Sequence, residues 1–333
     1  MATIVNANIR KAADTAFMHA LGSQLVSQPW RNAALYYPGK GEITKFFNWL
    51  GDVSGVKRWR DERSIQAVGT HSHSVTSLKW EDTIGIEVNA MNEDGPLIQQ
   101  KVNELAAKFV QHYNKLFFDF LKAGDGAQAT GGAKATYPWA GCFDTQTFFS
   151  NSHPIYNPDP GVGTTNDNIV TGTGVDTVAH IKADFDSAVQ QFYNLIRRDG
   201  SPMYDSVPEP LTIYCASEDI ALFNQVFKSP TDIAAGSAPN FYNGRANVVA
   251  SPHLNTSTTY DVNDHGVTTY STSDWFVQLP VPEKPFILYE SSPLETSWDE
   301  SFKFMKDTLF YGGKGMYNFG YAYWQTMMKV YNA

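Results

Sequence analysis

From Pro96 to Lys122 the chain places apolar side chains at Ile98, Val102, Leu105, Phe109, Tyr113, Leu116 and Phe120. Steps of three and four residues put all of them on one face only in a helix. Pro96 suits the first helical turn, and Gly124 and Gly126 supply the flexible backbone that ends it. At about 1.5 Å per residue the rod is roughly 40 Å long. A helix of that kind draws most of its stability from what covers its apolar stripe. The rest of the chain must therefore supply a matching surface, and 333 residues suffice for one large domain or two intertwined ones.

A core of that size needs no disulfides. The two cysteines, Cys142 and Cys215, form no C-x-x-C or zinc pattern, and they fit a reducing compartment. Asp and Glu outnumber Lys and Arg by 34 to 25, a formal charge of −9 that disfavours a chain-wide nucleic-acid surface. No signal-peptide core opens the sequence, and no apolar run reaches the length of about 18 residues that a membrane helix requires, so a soluble intracellular product is expected. Aromatic residues are 14% of the chain, enough for a dense core or for extensive contact surfaces.

Ahead of the long helix, residues 6–24 place Ile9, Ala12, Ala13, Ala16, Phe17, Ala20 and Leu21 on one stripe. This predicts a short amphipathic helix that packs on the body or on a neighbour. Residues 29–47 read as an extended, turn-rich arm, and FFNWLGDVSGVKRWRDERSI follows, mixing aromatics with charges of both signs. Residues 64–88 alternate apolar and polar positions, which predicts two antiparallel strands connected near Gly69–Ser74, an extended hairpin.

After the helix comes a long Gly, Asn and Thr-rich connection in which Cys142 to Ser150 is anchored. A second helix is predicted at 175–198 with Asp176 as its N-cap. Strands follow at Leu211–Cys215, 246–250, DWFVQL and FILYE, and a helix at SEDIALFNQVFK is capped by Ser217. Near the C-terminus, Gly312, Gly313, Gly315 and Gly320 divide sheet segments, and residues 321–328 form a strand embedded in the body.

Active-site signatures are missing from the sequence: no GxGxxG, no GxxxxGK[ST], no H-E-x-x-H and no G-x-S-x-G. GGKG at 312–315 lacks the spacing of a phosphate loop and reads as a turn, and His71 with His73 has no third ligand tied to it. Asp14, Asp61 and His153 have no sequence relationship that implies a triad. No catalytic, cofactor-binding or metal-binding residue is assigned, no cofactor is called for, and a structural role is expected over an enzymatic one.

Four segments taken in order, FFNWLGDVSGVKRWRDERSI at 46–65, FFSNSHP at 148–154, RRDGSPM at 197–203 and EKPFILYE at 283–290, resemble the Mu-like major head subunit family of tailed bacteriophages. Trp49, Leu50, Gly51, Trp59 and Arg63 stand where that family has its W-L-G…W…R stretch. Phe148, Phe149, His153 and Pro154 match its aromatic and His-Pro segment, and Arg198, Gly200 and Pro202 match its later turn. With the terminal FGYAYWQ the resemblance covers most of the chain.

The resemblance implies an α+β fold of the HK97 major-capsid type. Residues 1–50 would be an N-terminal arm and 51–90 an extended hairpin loop. Residues 91–199 would form a peripheral domain, with its spine helix at 96–122 and a second helix at 175–198. Residues 200–285 would be mainly an axial domain, and 286–333 would return to the peripheral domain. It further implies assembly as hexamers and pentamers into an icosahedral or prolate shell around double-stranded DNA, bound without sequence specificity and without a membrane.

Partners expected on that ground are a portal and a decoration protein, with assembly in the bacterial host cytoplasm and a final place in the virion capsid; a separate scaffold protein is expected because no long charged helical prefix opens the sequence. Trp49, Trp59, Trp80, Phe109 and Phe117 are then candidates for packing at or beneath subunit contacts, and Lys57, Arg58, Arg60 and Arg63 for ion pairs with a neighbour. The alternatives are a phage tail tube or sheath-like protein and, less favoured, an oligomeric enzyme.

Overall fold

The long helix forms where its periodicity places it, at Gly95–Ala123, in the computed structural model of the chain. The structure describes residues 2–25, 28–50, 70–87, 95–125, 141–155, 161–232, 238–256, 259–261, 267–269, 273–299 and 307–332. By contact the chain divides into two compact units, each assembled from separate segments. The first comprises Met1–Lys45, Val75–Phe117 and Leu288–Phe319, and the second Phe46–Ser74, Phe118–Ile287 and Gly320–Ala333.

In the first unit, Ile98, Val102, Leu105 and Phe109 of the long helix are buried against two partners. One is the helix Ala2–Leu25, through Ala13, Phe17 and Leu21. The other is a four-stranded sheet, through Ile86, Leu294, Leu309 and Tyr311. The first helix thus packs on its own chain. Phe17 sits edge-on to both Phe109 (6.1 Å between ring centres) and Tyr311 (6.2 Å), and Thr296 donates a hydrogen bond to Asp14 (3.0 Å). Each large apolar side chain so buried contributes about 1.5–3 kcal/mol.

The sheet runs in the order Ala34–Pro38, Phe286–Asp299, Thr308–Tyr321, Leu78–Glu87. Two expectations change here. The glycines at 312–315 do not break the Thr308–Tyr321 strand; they lie inside it, paired in register with Leu78–Glu87. A β-carbon on Gly313 would fall 2.9 Å from the Phe109 ring, and one on Gly312 would fall 2.5 Å from Thr83 Oγ1, so glycine is what lets neighbours approach this strand. The predicted hairpin within 64–88 is also replaced. Thr70–Thr76 pairs with Thr44–Leu50, and Leu78–Glu87 pairs with Thr308–Tyr321. Residues predicted to turn are strand, and the change of partner occurs at buried Ser77, whose N–H and hydroxyl both donate to Ile43 O (2.8 and 2.9 Å). The 64–69 part of that reading lies outside the described residues.

The C-terminal strand does not join the sheet that covers the long helix's stripe. The 321–328 stretch predicted as one strand ends at Tyr321, turns through a short 3-10 helix at Trp324–Thr326, and resumes as Met327–Tyr331. That last strand belongs to the second unit's five-stranded sheet, ordered Ala246–Ser251, Leu211–Ala216, Trp275–Gln278, Met327–Tyr331, Ile169–Thr171. The first two strands are parallel and joined through the helix Ile220–Phe227. Trp275–Gln278 is antiparallel to both of its neighbours.

Ile181, Phe185, Ala188 and Phe192 form the buried stripe of the helix Val178–Asn194. Its cap is Thr177, which accepts from the His180 N–H (3.2 Å), one residue beyond the predicted Asp176. Asp176 instead accepts from the His180 ring (2.6 Å). Ser217 likewise does not cap Ile220–Phe227; its hydroxyl donates to Asn255 (2.9 Å), and Asp219 holds the cap position. In the same unit the end of the long helix is buried on all sides, Phe118, Asp119, Phe120, Leu121 and Lys122 included. Lys122 lies 3.4 Å from Asp119 and donates to His253 O (2.8 Å), which offsets the cost of burying its charge.

Candidate assembly surfaces

Where the described residues include a position at which the sequence raised chemistry, its contacts are as follows. Lys314 of GGKG lies in a strand opposite Glu81. His73 is half-buried, and burial lowers its pKa. The side chain of His71 lies outside the described residues, and among those described no three His, Cys, Asp or Glu gather as metal ligands. Asp14 is taken up by Thr296, and Asp61 lies outside the described residues. No helix of the described residues is long and apolar enough to cross a membrane.

His153 is the centre of a buried lock built from the FFSNSHP segment. Its Nδ1–H donates to Asp144 (2.6 Å), and its ring lies flat on Trp324, with centres 3.9 Å apart and planes 4° from parallel. Asn168 ties in the backbone, donating to Phe148 O and accepting from Ser150 N–H, both at 2.8 Å. Phe148 stacks on Tyr321 (4.9 Å), and Phe149 packs on Phe276 (5.3 Å). Cys142 closes the segment by donating to Ala322 O (3.2 Å), so the predicted anchoring of 142–150 holds.

Surface apolar groups concentrate on the arm. The edge strand Ala34–Pro38 buries Ala34 and exposes Leu35, Tyr36 and Tyr37, and beyond the turn Ile43 (60%) and Phe46 (68%) are more exposed still. The backbone that carries them is fastened. Gly39 N–H donates to Glu290 O (2.6 Å) and Gly41 N–H to Ser291 O (2.9 Å). Tyr289 and Ser291 hydroxyls both donate to Glu42 O (2.7 and 2.5 Å). Glycine is required twice in this turn: a β-carbon on Gly39 would lie 2.7 Å from Tyr289 Oη, and Gly41 has φ +90°. Tyr36 and Tyr113 hydroxyls both donate to Glu290; burial and that carboxylate push the Tyr36 phenol well above its ordinary range.

Of the aromatics proposed for subunit contacts, Phe109 and Phe117 are buried within the chain and Trp80 donates its Nε1–H to Tyr317 O (2.9 Å). Trp59, the Trp49 side chain and the basic residues Lys57, Arg58, Arg60 and Arg63 lie outside the described residues. Leu35 and Ile43 were not singled out by sequence, and Phe46 was read only as one of the aromatics of the 46–65 stretch. The signal at Leu35 was a run of bulky residues, LYYP, that does not alternate as a half-buried strand should.

Known proteins agree with this architecture. The mature capsid of bacteriophage PhiM1 superposes with a TM-score of 0.56 at 11% identity, over 91% of this chain and 86% of that one. The capsid of Cyanophage P-SCSP1u gives 0.54 at 14% identity, over 90% and 86%. The fold is the HK97-like capsid fold. In sequence, the major capsid protein of Escherichia phage Mu is 29% identical over 118 residues, 35% of this chain and 34% of that protein, so the likeness spans about a third of the relative's length. The model of the Mu-like prophage major head subunit gpT matches residues 7–181, a span that includes both the 46–65 stretch and FFSNSHP. More than half of the sequence lies inside that match, and the chain belongs to the Mu-like prophage major head subunit family.

Proposed function

We propose that this protein is the major subunit of a tailed-phage head, built into hexamers and pentamers that close a shell around double-stranded DNA. Family membership across residues 7–181 is the observation that carries the reading. In it the helix Gly95–Ala123 is the spine of a peripheral domain, and the 200–285 region is mainly an axial domain near the capsomer axes. The strand pair Thr44–Leu50 and Thr70–Thr76 is the root of the extended loop, and the exposed Leu35, Ile43 and Phe46 are the contact groups that a neighbouring copy covers.

The role is structural and not enzymatic. A charge of −9 suits a container, because a strongly basic lining would trap the genome it encloses. A scaffold, a portal and a decoration protein complete the proposed set of partners, and the virion is the proposed location.

Electron microscopy of particles formed by the purified chain, with a co-expressed scaffold where needed, tests this. Closed isometric or prolate shells are expected. Helical tubes would identify a tail component, and small discrete oligomers with an open polar cleft would favour an enzyme.

A further inference from the structure

We propose that Phe241 is an anchor by which one copy of this chain grips a second copy, an inference that rests on the head-subunit reading. Phe241 is 86% exposed, more than any other large apolar side chain among the described residues. Single apolar residues on a surface are ordinary. This one differs in how firmly its backbone is held.

Asn240, nearly buried, donates through Nδ2 to Val226 O (2.7 Å) and Ser229 O (2.9 Å) and accepts from Tyr242 N–H (3.1 Å). Asn243 N–H donates to Asn240 O (3.3 Å), and Gly244, at φ +80°, donates to Phe227 O (2.9 Å). Tyr242 is fixed as well: its hydroxyl donates to Asp186 (2.5 Å) and its ring meets Phe185 edge-on at 6.2 Å. The turn thus turns Tyr242 inward and holds Phe241 outward. A side chain presented by such a rigid turn loses little freedom on docking, which is what makes aromatic anchors effective.

Charge selects the partner. Two copies at −9 each repel over most of their surfaces. Here the flanking charges nearly cancel: Arg245 sits between Glu209 (2.7 Å) and Asp186 (3.5 Å), and Lys182 pairs with Asp232, so one negative charge is left over. The tip itself, Phe241, Asn243 and Gly244, is uncharged. Phosphate finds no unmatched cation among these groups, while a second copy meets an apolar knob with little repulsion. In a ring of copies the contact is head-to-tail, so the seat lies elsewhere on the neighbour's surface.

The test compares full-length wild type, Phe241→Ser and Phe241→Leu in shell assembly, with thermal unfolding of the unassembled subunit measured beside it. Phe241→Ser is expected to raise the concentration needed for assembly by about tenfold or more, with Phe241→Leu between, while unfolding stays unchanged. A photo-crosslinking phenylalanine analogue at position 241 is expected to join two copies in assembled particles. Wild-type assembly by Phe241→Ser, or crosslinks only to a different protein, overturns the inference and leaves the head-subunit reading standing. Failure of the wild type itself to form shells overturns both.

Discussion

Gly313 lies beneath Phe109 so closely that no side chain fits between the Thr308–Tyr321 strand and the long helix there; an added β-carbon would stand 2.9 Å from the ring. Gly313→Val is expected to destabilise the subunit by about 1–3 kcal/mol through overpacking. Adding Phe109→Leu should recover part of the loss. Denaturant midpoints of the two single variants and the double variant measure the coupling.

His112 is half-buried against Trp80, with ring centres 4.3 Å apart, and 2.9 Å from the Tyr317 hydroxyl. Burial, with the nearby Lys115 charge, holds its pKa down to about 4. The unfolded chain titrates near 6.5, so between about 6.5 and 4 it binds a proton that the folded chain does not. Stability therefore falls as pH drops through that window, by up to about 3 kcal/mol. His112→Gln should remove this part of the slope in urea unfolding measured from pH 7 to 4.

Both cysteines are buried and free. Burial, with Asp144 beside it, raises the Cys142 thiol well above the ordinary range, and burial pushes Cys215 up to about 12. Neither forms appreciable thiolate at neutral pH. Native subunit is expected to react with a thiol-labelling reagent at least about 100-fold more slowly than unfolded chain, with two equivalents released only on denaturation. Rapid labelling of one equivalent in native protein would contradict the packing.

Asp144→Ala leaves the Nδ1–H of His153 buried without its acceptor and is expected to cost about 1–3 kcal/mol. Asp144→Asn keeps one oxygen, enough for either the His153 Nδ1–H or the Gln146 N–H that Asp144 also accepts (3.2 Å), and should cost less. Guanidinium unfolding measures both.

Leu35→Ser combined with Ile43→Ser removes two exposed apolar groups, 40% and 60% accessible. The unassembled subunit should keep its stability to within about 0.5 kcal/mol. Sedimentation should show the shell fraction lost. A doubly substituted chain that assembles as wild type would remove the arm from the contact surface.

The long helix was legible in sequence because its signal is local: every stripe residue lies within two turns of the next. Strand partners were not, because alternation states that a strand is half-buried and not what it pairs with. Ile84 and Ile86 look the same whether the partner is a few residues away or, as here, Tyr311 and Leu309. The glycines of 312–315 misled for a related reason: read locally they are turn formers, and only Phe109, about 200 residues earlier, explains them as strand. Capping was read one residue early because Asp176 and Thr177 are equally able acceptors, and the bond from the His180 ring takes the carboxylate away. The surface was harder still. Phe241 and Phe109 are the same residue type, and the difference between 86% exposure and burial comes from a turn that Asn240 organises through groups far from its own position.

The segmentation of the first unit has a consequence in time. Its parts come from 1–45, 75–117 and 288–319, so on the ribosome the first helix, the Leu78–Glu87 strand and the long helix emerge well before the strands Phe286–Asp299 and Thr308–Tyr321. Phe17 and Phe109 can meet each other early, but the side they share with Leu294, Leu309 and Tyr311 stays uncovered until those strands have been synthesised. A nascent chain cannot complete this unit early, which delays any contact that depends on it until a full-length polypeptide is available and makes premature release the stage at which aggregation is most expected.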